Sequence, residues 1–284
     1  MQQSITNQFN IGISTVMVGP MADVLNLTPE EHSIGLIKNF SLTSETNEVT
    51  LTQGLRNTQV DSQVTGVTTQ LSMEVYEYTA KNIAYAAQLA GENFTLTGNY
   101  ALKTAITGGT SATTVVLADV PSTHSNDLSE GDVIALQCSG DKDYDKVFLA
   151  SVSSTSFVAD EGEGAAKGTL TVTLASAIPS GWSFSAGDKV FFVNVIPVGS
   201  DEPQPYYGVK IVGILPNGNE PVTIICPKAK VSAGFNLGFT TDNYGNMPFE
   251  FTPYDLTKED YANNPALESA FKKYGGANCF VYKG

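Results

Sequence analysis

Arginine is nearly missing from this chain. Arg56 is the only one, and lysine and arginine together number 15 against 29 aspartates and glutamates, a formal net charge of −14 and a pI near 4.4. A protein that grips DNA or RNA neutralises phosphates with clustered cations, and no such cluster exists here, so tight nucleic-acid binding is excluded. Long apolar runs are missing too: none approaches the roughly 18 residues that a membrane helix needs. Met1-Gln2-Gln3-Ser4 is not a basic region leading into an apolar stretch, so no signal peptide is expected.

Cysteine is scarce and scattered. Cys138, Cys226 and Cys279 form no C-x-x-C pair, which rules out a zinc knuckle or a thioredoxin-like motif. Three reduced thiols are expected, with Cys226 packed inertly in a strand after Val222-Thr223-Ile224-Ile225. Histidine is limited to His32 and His124, both read as exposed loop residues, and neither an H-E-x-x-H nor a G-x-S-x-G motif supplies a partner.

The remaining motifs also fail. Asp141-Lys142-Asp143-Tyr144-Asp145 has the alternating carboxylates of a calcium loop. An EF-hand also requires Gly at loop position 6 and Glu at position 12, where this chain has Lys146 and Val152. Gly162-Glu163-Gly164-Ala165-Ala166-Lys167-Gly168 misses the dinucleotide fingerprint, and its glutamates would repel a pyrophosphate. The stretch Asp119–Glu163 holds ten acids against Lys142 and Lys146 and reads as a solvated surface. No residue is nominated as catalytic, as a metal ligand or as a cofactor contact, and the chain is expected not to be an enzyme.

What the chain does have is length, apolar mass and a period of two. Its 284 residues are 42% hydrophobic, with 12 Tyr and 14 Phe, enough to bury large cores. Val67, Thr69, Leu71, Met73 and Val75 alternate with Thr68, Gln70, Ser72 and Glu74, the pattern of a half-buried strand. Ile34, Leu36, Phe40 and Leu42 alternate similarly, with Lys38 interrupting the face. Further strands are expected at Ile11–Val18, Glu48–Leu51, Tyr207–Leu215, Val222–Cys226, Phe235–Phe239 and Met247–Phe251. Pro216-Asn217-Gly218 reads as a hairpin turn. Two segments read as helices: Ala80–Ala90, capped by Thr79 and stopped by Gly91, and Pro265–Tyr274, capped by Asn264 and stopped by Gly275-Gly276.

The middle of the chain, 103–197, is rich in Ser, Thr, Gly and Asp, has no helix signal and carries an internal repeat. Thr114-Val115-Val116-Leu117-Ala118, Pro121-Ser122 and Gly131-Asp132 correspond to Thr171-Val172-Thr173-Leu174-Ala175, Pro179-Ser180 and Gly187-Asp188. The expectation is a mainly β fold: a host domain formed by 1–102 and 198–284, with a small all-β module inserted at 103–197. Trp182, beside Phe184 and Val190, is expected to pack the core of that module.

The flanking regions resemble bacteriophage tail tube proteins. The likeness lies in Ser33-Ile34-Gly35-Leu36-Ile37-Lys38-Asn39-Phe40-Ser41-Leu42, in Glu48-Val49-Thr50-Leu51-Thr52-Gln53-Gly54, and in Val75-Tyr76-Glu77-Tyr78-Thr79-Ala80-Lys81-Asn82-Ile83-Ala84-Tyr85-Ala86. It resumes in Leu215-Pro216-Asn217-Gly218, Cys226-Pro227-Lys228-Ala229-Lys230-Val231 and Asn246-Met247-Pro248-Phe249-Glu250-Phe251-Thr252, and covers about residues 10–100 and 205–255.

The resemblance implies a β-sandwich closing towards a barrel, flanked by a helix matching Ala80–Ala90. It implies hexameric rings stacked into a tube through which DNA passes without specific binding during ejection. The partners it implies are copies of the chain itself and other tail proteins: baseplate, terminator and tape measure, with a sheath where the tail contracts. The place it implies is the virion, after assembly in the host cytoplasm and without membrane insertion. It sets the inter-ring loop in the N-terminal half, where the polar stretch Glu45–Gly66 is expected to make the contact, and it calls for no cofactor. The separate composition and internal repeat of the middle module lead to the expectation of an outward add-on. Cys138 and Cys279, next to turn residues, leave open an intersubunit bridge once a particle meets oxidising surroundings. The alternative is a virion or cell-surface β-protein that binds glycans through Trp182 and neighbouring tyrosines.

Overall fold

The computed structural model describes residues 13–53, 57–138, 146–160, 166–201, 203–214, 221–233, 235–238 and 245–283. The first strands are β1 (Ile13–Pro20), β2 (Ile37–Gln53), β3 (Thr58–Val75), β4 (Asn99–Leu102) and β5 (Ile106–Thr107). Then come β6 (Thr114–Pro121), β7 (Val133–Gln137), β8 (Val147–Ala159), β9 (Lys167–Leu174), β10 (Ser183–Phe184) and β11 (Lys189–Val193). The last are β12 (Tyr207–Ile214), β13 (Pro221–Val231), β14 (Met247–Pro253) and β15 (Phe280–Lys283). The α-helices are short: α1 (Pro29–His32), α2 (Ala80–Ala86), α3 (Lys258–Asn263) and α4 (Pro265–Phe271). The fold is mainly β, and the chain divides into two compact units: Met1–Asn93 with Ile196–Gly284, and Phe94–Val195.

The first unit is a seven-stranded sheet in the order β1-β12-β13-β14-β3-β2, with β15 attached to β13. Alternation dictates its main core. Val16 and Val18, Val209 and Ile211, Phe249 and Phe251, and Leu71, Met73 and Val75 all point to one face, where Tyr85 and Ala86 of α2 cover them. On the opposite face Met17 and Ile225 pack with Val24, Leu27, Leu267, Phe271 and Phe280.

Helix α2 starts where expected: the Thr79 hydroxyl accepts the Asn82 amide at 3.1 Å. It ends earlier than Gly91. Gln88 takes the left-handed conformation at φ 67°, with Leu89 N–H donating to Ala84 O and Gln88 N–H donating to Tyr85 O. This is the Schellman arrangement, with glutamine where glycine is usual. The Tyr207 hydroxyl then donates to the Leu89 carbonyl at 2.9 Å, so tertiary packing turns the chain before the helix signal runs out.

Helix α4 opens as expected, with the Asn264 side chain accepting the Ala266 amide at 3.1 Å and Pro265 in the first turn. Its expected last residues, Lys272–Tyr274, form a 3₁₀ turn instead. Helix α3 was not anticipated, being too short to show a period. A capping box holds it, with Thr257 and Asp260 each accepting from the other's backbone amide.

The strand expectations differ in three places. Glu48–Leu51 is part of the continuous 17-residue β2. The interruption at Lys38 is a register shift between Lys38 and Ser41, with Asn39 at φ 53°. Residues 235–238 lie in no strand, although Phe235 and Leu237 pack on the core. The turn at Pro216-Asn217-Gly218 lies outside the described residues.

The second unit is a closed barrel in the order β11-β4-β6-β9-β8-β7, with β5 and β10 paired separately. It starts before 103, because β4 pairs with both β6 and β11. Its pairing maps onto itself when β6 exchanges with β9, β7 with β11 and β4 with β8. Equivalent positions of the sequence repeat, Val115 and Val172, are direct cross-strand partners.

The turns obey the same symmetry. Asp132 Oδ2 accepts the Ser129 amide at 2.6 Å, and Asp188 Oδ2 accepts the Ser185 amide at 2.8 Å. The glycines before these aspartates have φ 95° and 94°. An added Cβ at Gly131 or Gly187 meets no atom within 4 Å, so alanine there costs only the unfavourable backbone, about 1–2 kcal/mol. Gly131→Ala and Gly187→Ala are therefore expected to lower stability equally, as read by urea denaturation. A difference above about 1 kcal/mol between them would contradict the equivalence of the two turns.

Candidate functional site

The most unusual surface of the molecule is the outer part of the β2–β3 hairpin. At its base Leu42 pairs with Leu71, and Ile37, Phe40 and Leu42 pack on the main core. Beyond that point the ribbon leaves the core: every residue of β2 from Thr43 to Gln53 is exposed. In β3 only Gly66 is partly covered between Thr58 and Thr68.

The two strands stay paired throughout, from Glu45 opposite Thr68 to Gln53 opposite Thr58, with register shifts after Asn47 and Leu51. At the first shift the Thr65 hydroxyl donates to the Asn47 carbonyl at 3.1 Å. The composition explains why the ribbon forms, since Thr and Val dominate it and are good strand residues. The described ribbon carries Glu45, Glu48 and Asp61 and no lysine. Nine paired residues reach about 30 Å from the sheet.

Large apolar side chains lie bare on both faces. Val49 and Leu51 are 62% and 64% exposed, and Val60, Val64 and Val67 are 53–57% exposed. Among the described residues β3 meets β14 only over Leu71–Val75, so both edges of the ribbon are unpaired. A free two-stranded ribbon is marginal in water, and open edges invite further strands.

The base of the arm is rigidly tied. The Leu36 amide donates to Glu77 Oε1 at 2.9 Å, and the buried Asn82 amide group donates to the carbonyls of Ile34 and Glu77. Gly35 sits at φ 80° against the Glu77 carboxylate, a conformation and a gap that suit only glycine.

No protein-family model matches this chain, and no curated protein matches it.

The other residues singled out by the sequence fall elsewhere. His32 ends α1, and its Nδ1 accepts the Thr28 amide at 3.2 Å. His124 is not a free loop histidine. Its Nδ1 lies 2.5 Å from the Tyr100 hydroxyl and 3.5 Å from Asp127 Oδ2. Burial and the Asp127 charge together push the Tyr100 hydroxyl above its ordinary pKa. Both partners address the same ring nitrogen, so the group lacks the relay geometry of a nucleophile–base–orienter triad.

Trp182 occupies the repeat position equivalent to His124. It stacks on Phe184 and packs against Phe148 in the barrel core. Duplicate corners have thus diverged, one apolar and one ionisable. Asp141–Asp145 and most of Gly162–Gly168 lie outside the described residues. Among the described residues no group of three or more His, Cys, Asp or Glu side chains is placed to hold a metal, and no helix is long and apolar enough to cross a membrane.

The thiols are not all reduced. Cys226 and Cys279 are joined by a disulfide within the chain, while Cys138 is unbridged. Nothing local marks this pair, because the two cysteines are 53 residues apart and only strand pairing brings them together.

One buried ion pair pins the C-terminal helices. Lys228 of β13 is 7% exposed, and its Nζ lies 2.7 Å from Asp260 Oδ2, which also accepts from the Thr257 amide. Burial pushes the Asp260 carboxyl up, but the hydrogen bonds from Lys228 and Thr257 outweigh it and hold the carboxyl below its ordinary range. The stabilisation is therefore complete above an ordinary carboxylate pKa of about 4 and is lost as pH falls through the lower folded value. Asp260→Asn leaves Lys228 buried without a counter-charge and is expected to cost about 3 kcal/mol at neutral pH. Urea denaturation as a function of pH checks this, and the wild-type advantage should shrink below about pH 4.

Proposed function

We propose that this protein is a structural subunit of a phage tail tube, one that forms hexameric rings and stacks them into a channel for DNA. The observation that carries the reading is the β2–β3 arm, a long ribbon with valines and a leucine bare on both faces and both described edges open. Such a ribbon is poorly suited to life as a monomer and well suited to completing its pairing on a neighbouring copy. The resemblance noted in the flanking segments places the inter-ring loop of that family in the N-terminal half of the chain, the half that holds Glu45–Gly66.

A head-to-tail contact that closes by rotation makes a ring, and a contact along the axis propagates a stack. The acidic composition, 29 acids against 15 cations, suits a wall past which phosphate must slide, since each added cation would release counterions and make DNA stick. The second unit has its own closed core, which fits an add-on role.

Negative-stain microscopy of purified protein tests the reading: rings or hollow tubes are expected, and discrete monomers at high concentration would refute it. Replacing residues 45–66 with a tight turn should abolish assembly while the circular dichroism of the remaining sheet persists. Assembly that survives this deletion would show that the arm is not the joining element. Replacing 94–195 with a short Gly/Ser linker should leave rings able to form, and an insoluble or purely monomeric product would make the second unit part of the assembly core.

A further inference from the structure

The disulfide joins two neighbouring strands of one sheet. Strand β15 pairs antiparallel with β13, from Val222 opposite Lys283 to Ile225 opposite Phe280. Cys226 and Cys279 are the next positions in that register, and their Cα atoms are 4.4 Å apart. That is the separation of a directly opposed, non-hydrogen-bonded cross-strand pair. The bond therefore closes the inner end of the last strand of the described chain onto its neighbour.

Without the bond, little holds this strand. It is four residues long, and only Phe280 is buried, at 9% exposure, while Val281 and Tyr282 are 60% and 40% exposed. Besides the bond, the short pairing with β13 and the seat of Phe280 in the core of the opposite face hold it, beside Ile225, stacked on Phe271 with centroids 4.5 Å apart and tilted against Tyr274. The preceding helix has an anchor besides that stack, since Leu267 is 0% exposed in the core that holds Met17, Val24 and Leu27. Helix α3 keeps its ion pair to Lys228. Release of β15 thus need not disturb the helices before it.

We propose that the Cys226–Cys279 disulfide is a redox latch on β15: closed, it holds the strand on the sheet; open, it lets the strand detach and exposes the Val222–Ile225 edge of β13. An exposed edge of this kind is a template for a strand from another chain. The proposal does not depend on the tail-tube reading.

The chemistry is thiol–disulfide exchange with a dithiol reductant. Cys226 is 0% exposed, so the reductant thiolate attacks Cys279 Sγ, forms a mixed disulfide and expels Cys226 as a thiolate, which takes up a proton. The reductant's second thiolate then displaces Cys279. The protein disulfide gains two electrons and two protons as two thiols, and the dithiol is oxidised to its own disulfide.

Amide hydrogen exchange on the full chain, with and without dithiothreitol, tests the latch. Reduction should speed exchange in 221–226 and 280–283 by about tenfold or more and leave the β1–β12 and β14–β3 pairings unchanged. Cys279→Ser, in which the bond cannot form, should behave like the reduced protein without any reductant, and reoxidation of the wild type should restore protection.

Three results would overturn the proposal. The first is unchanged exchange when alkylation proves both cysteines reduced. The second is a loss of protection spread over the whole sheet, which would make the bond a general staple. The third is the finding that both cysteines of the purified, unreduced protein alkylate once it is unfolded.

Discussion

The first unit depends on how β13 is shared. One edge of β13 pairs with β12 along most of its length, while the other is divided, with β15 on Val222–Ile225 and β14 on Ala229–Val231. Between the two halves lies Pro227, which has no N–H to give a ladder. There the register against β12 slips, so that Pro227 and Lys228 face the single residue Gly208. A Cβ on Gly208 would lie 2.6 Å from Val24, which fixes glycine opposite the bulge. The break lets one strand serve two neighbours and accommodates Lys228, whose buried ammonium then requires Asp260. The C-terminal helices, the disulfide strand and the base of the arm all follow from this arrangement.

The two units treat their strand edges in opposite ways. The barrel closes on itself, so its main strands present no free edge, and its core is complete. The sheet leaves a ribbon of exposed valine, leucine and threonine at one end and places a covalent bond beside its last short strand. Closure suits a self-sufficient unit. Open edges and bare apolar faces suit a surface whose partner comes from another molecule, and that contrast gives the assembly reading its physical content.

The duplicated barrel shows how repetition and divergence divide labour. The Ser-x-Gly-Asp turns recur with the same hydrogen bond and the same backbone angle, because a tight turn tolerates little change. The corners beside them are free to differ. Trp182 fills one with aromatic packing, while His124 and Tyr100 place a short polar contact in the other.

The features legible in the residues alone are local. Alternation from Leu71 to Val75 and from Met247 to Phe251 is visible in the residues, because each strand face must meet one environment. The caps at Thr79 and Asn264 are visible because their hydrogen bonds span only two or three residues, and the repeat is visible because its turns need Gly and Asp. Much of the arm was legible as the polar stretch Glu45–Gly66, though not its continuity as a 17-residue strand. The rest depends on how distant segments pack together. Gln88 ends α2 because Leu89 is drawn to Tyr207, His124 finds Tyr100 on the neighbouring strand β4, and Cys226 meets Cys279 because β13 and β15 pair in one register. Each of these joins residues distant in the chain through strand pairing or core packing, and a period of two says which face a residue occupies but not which strand lies beside it.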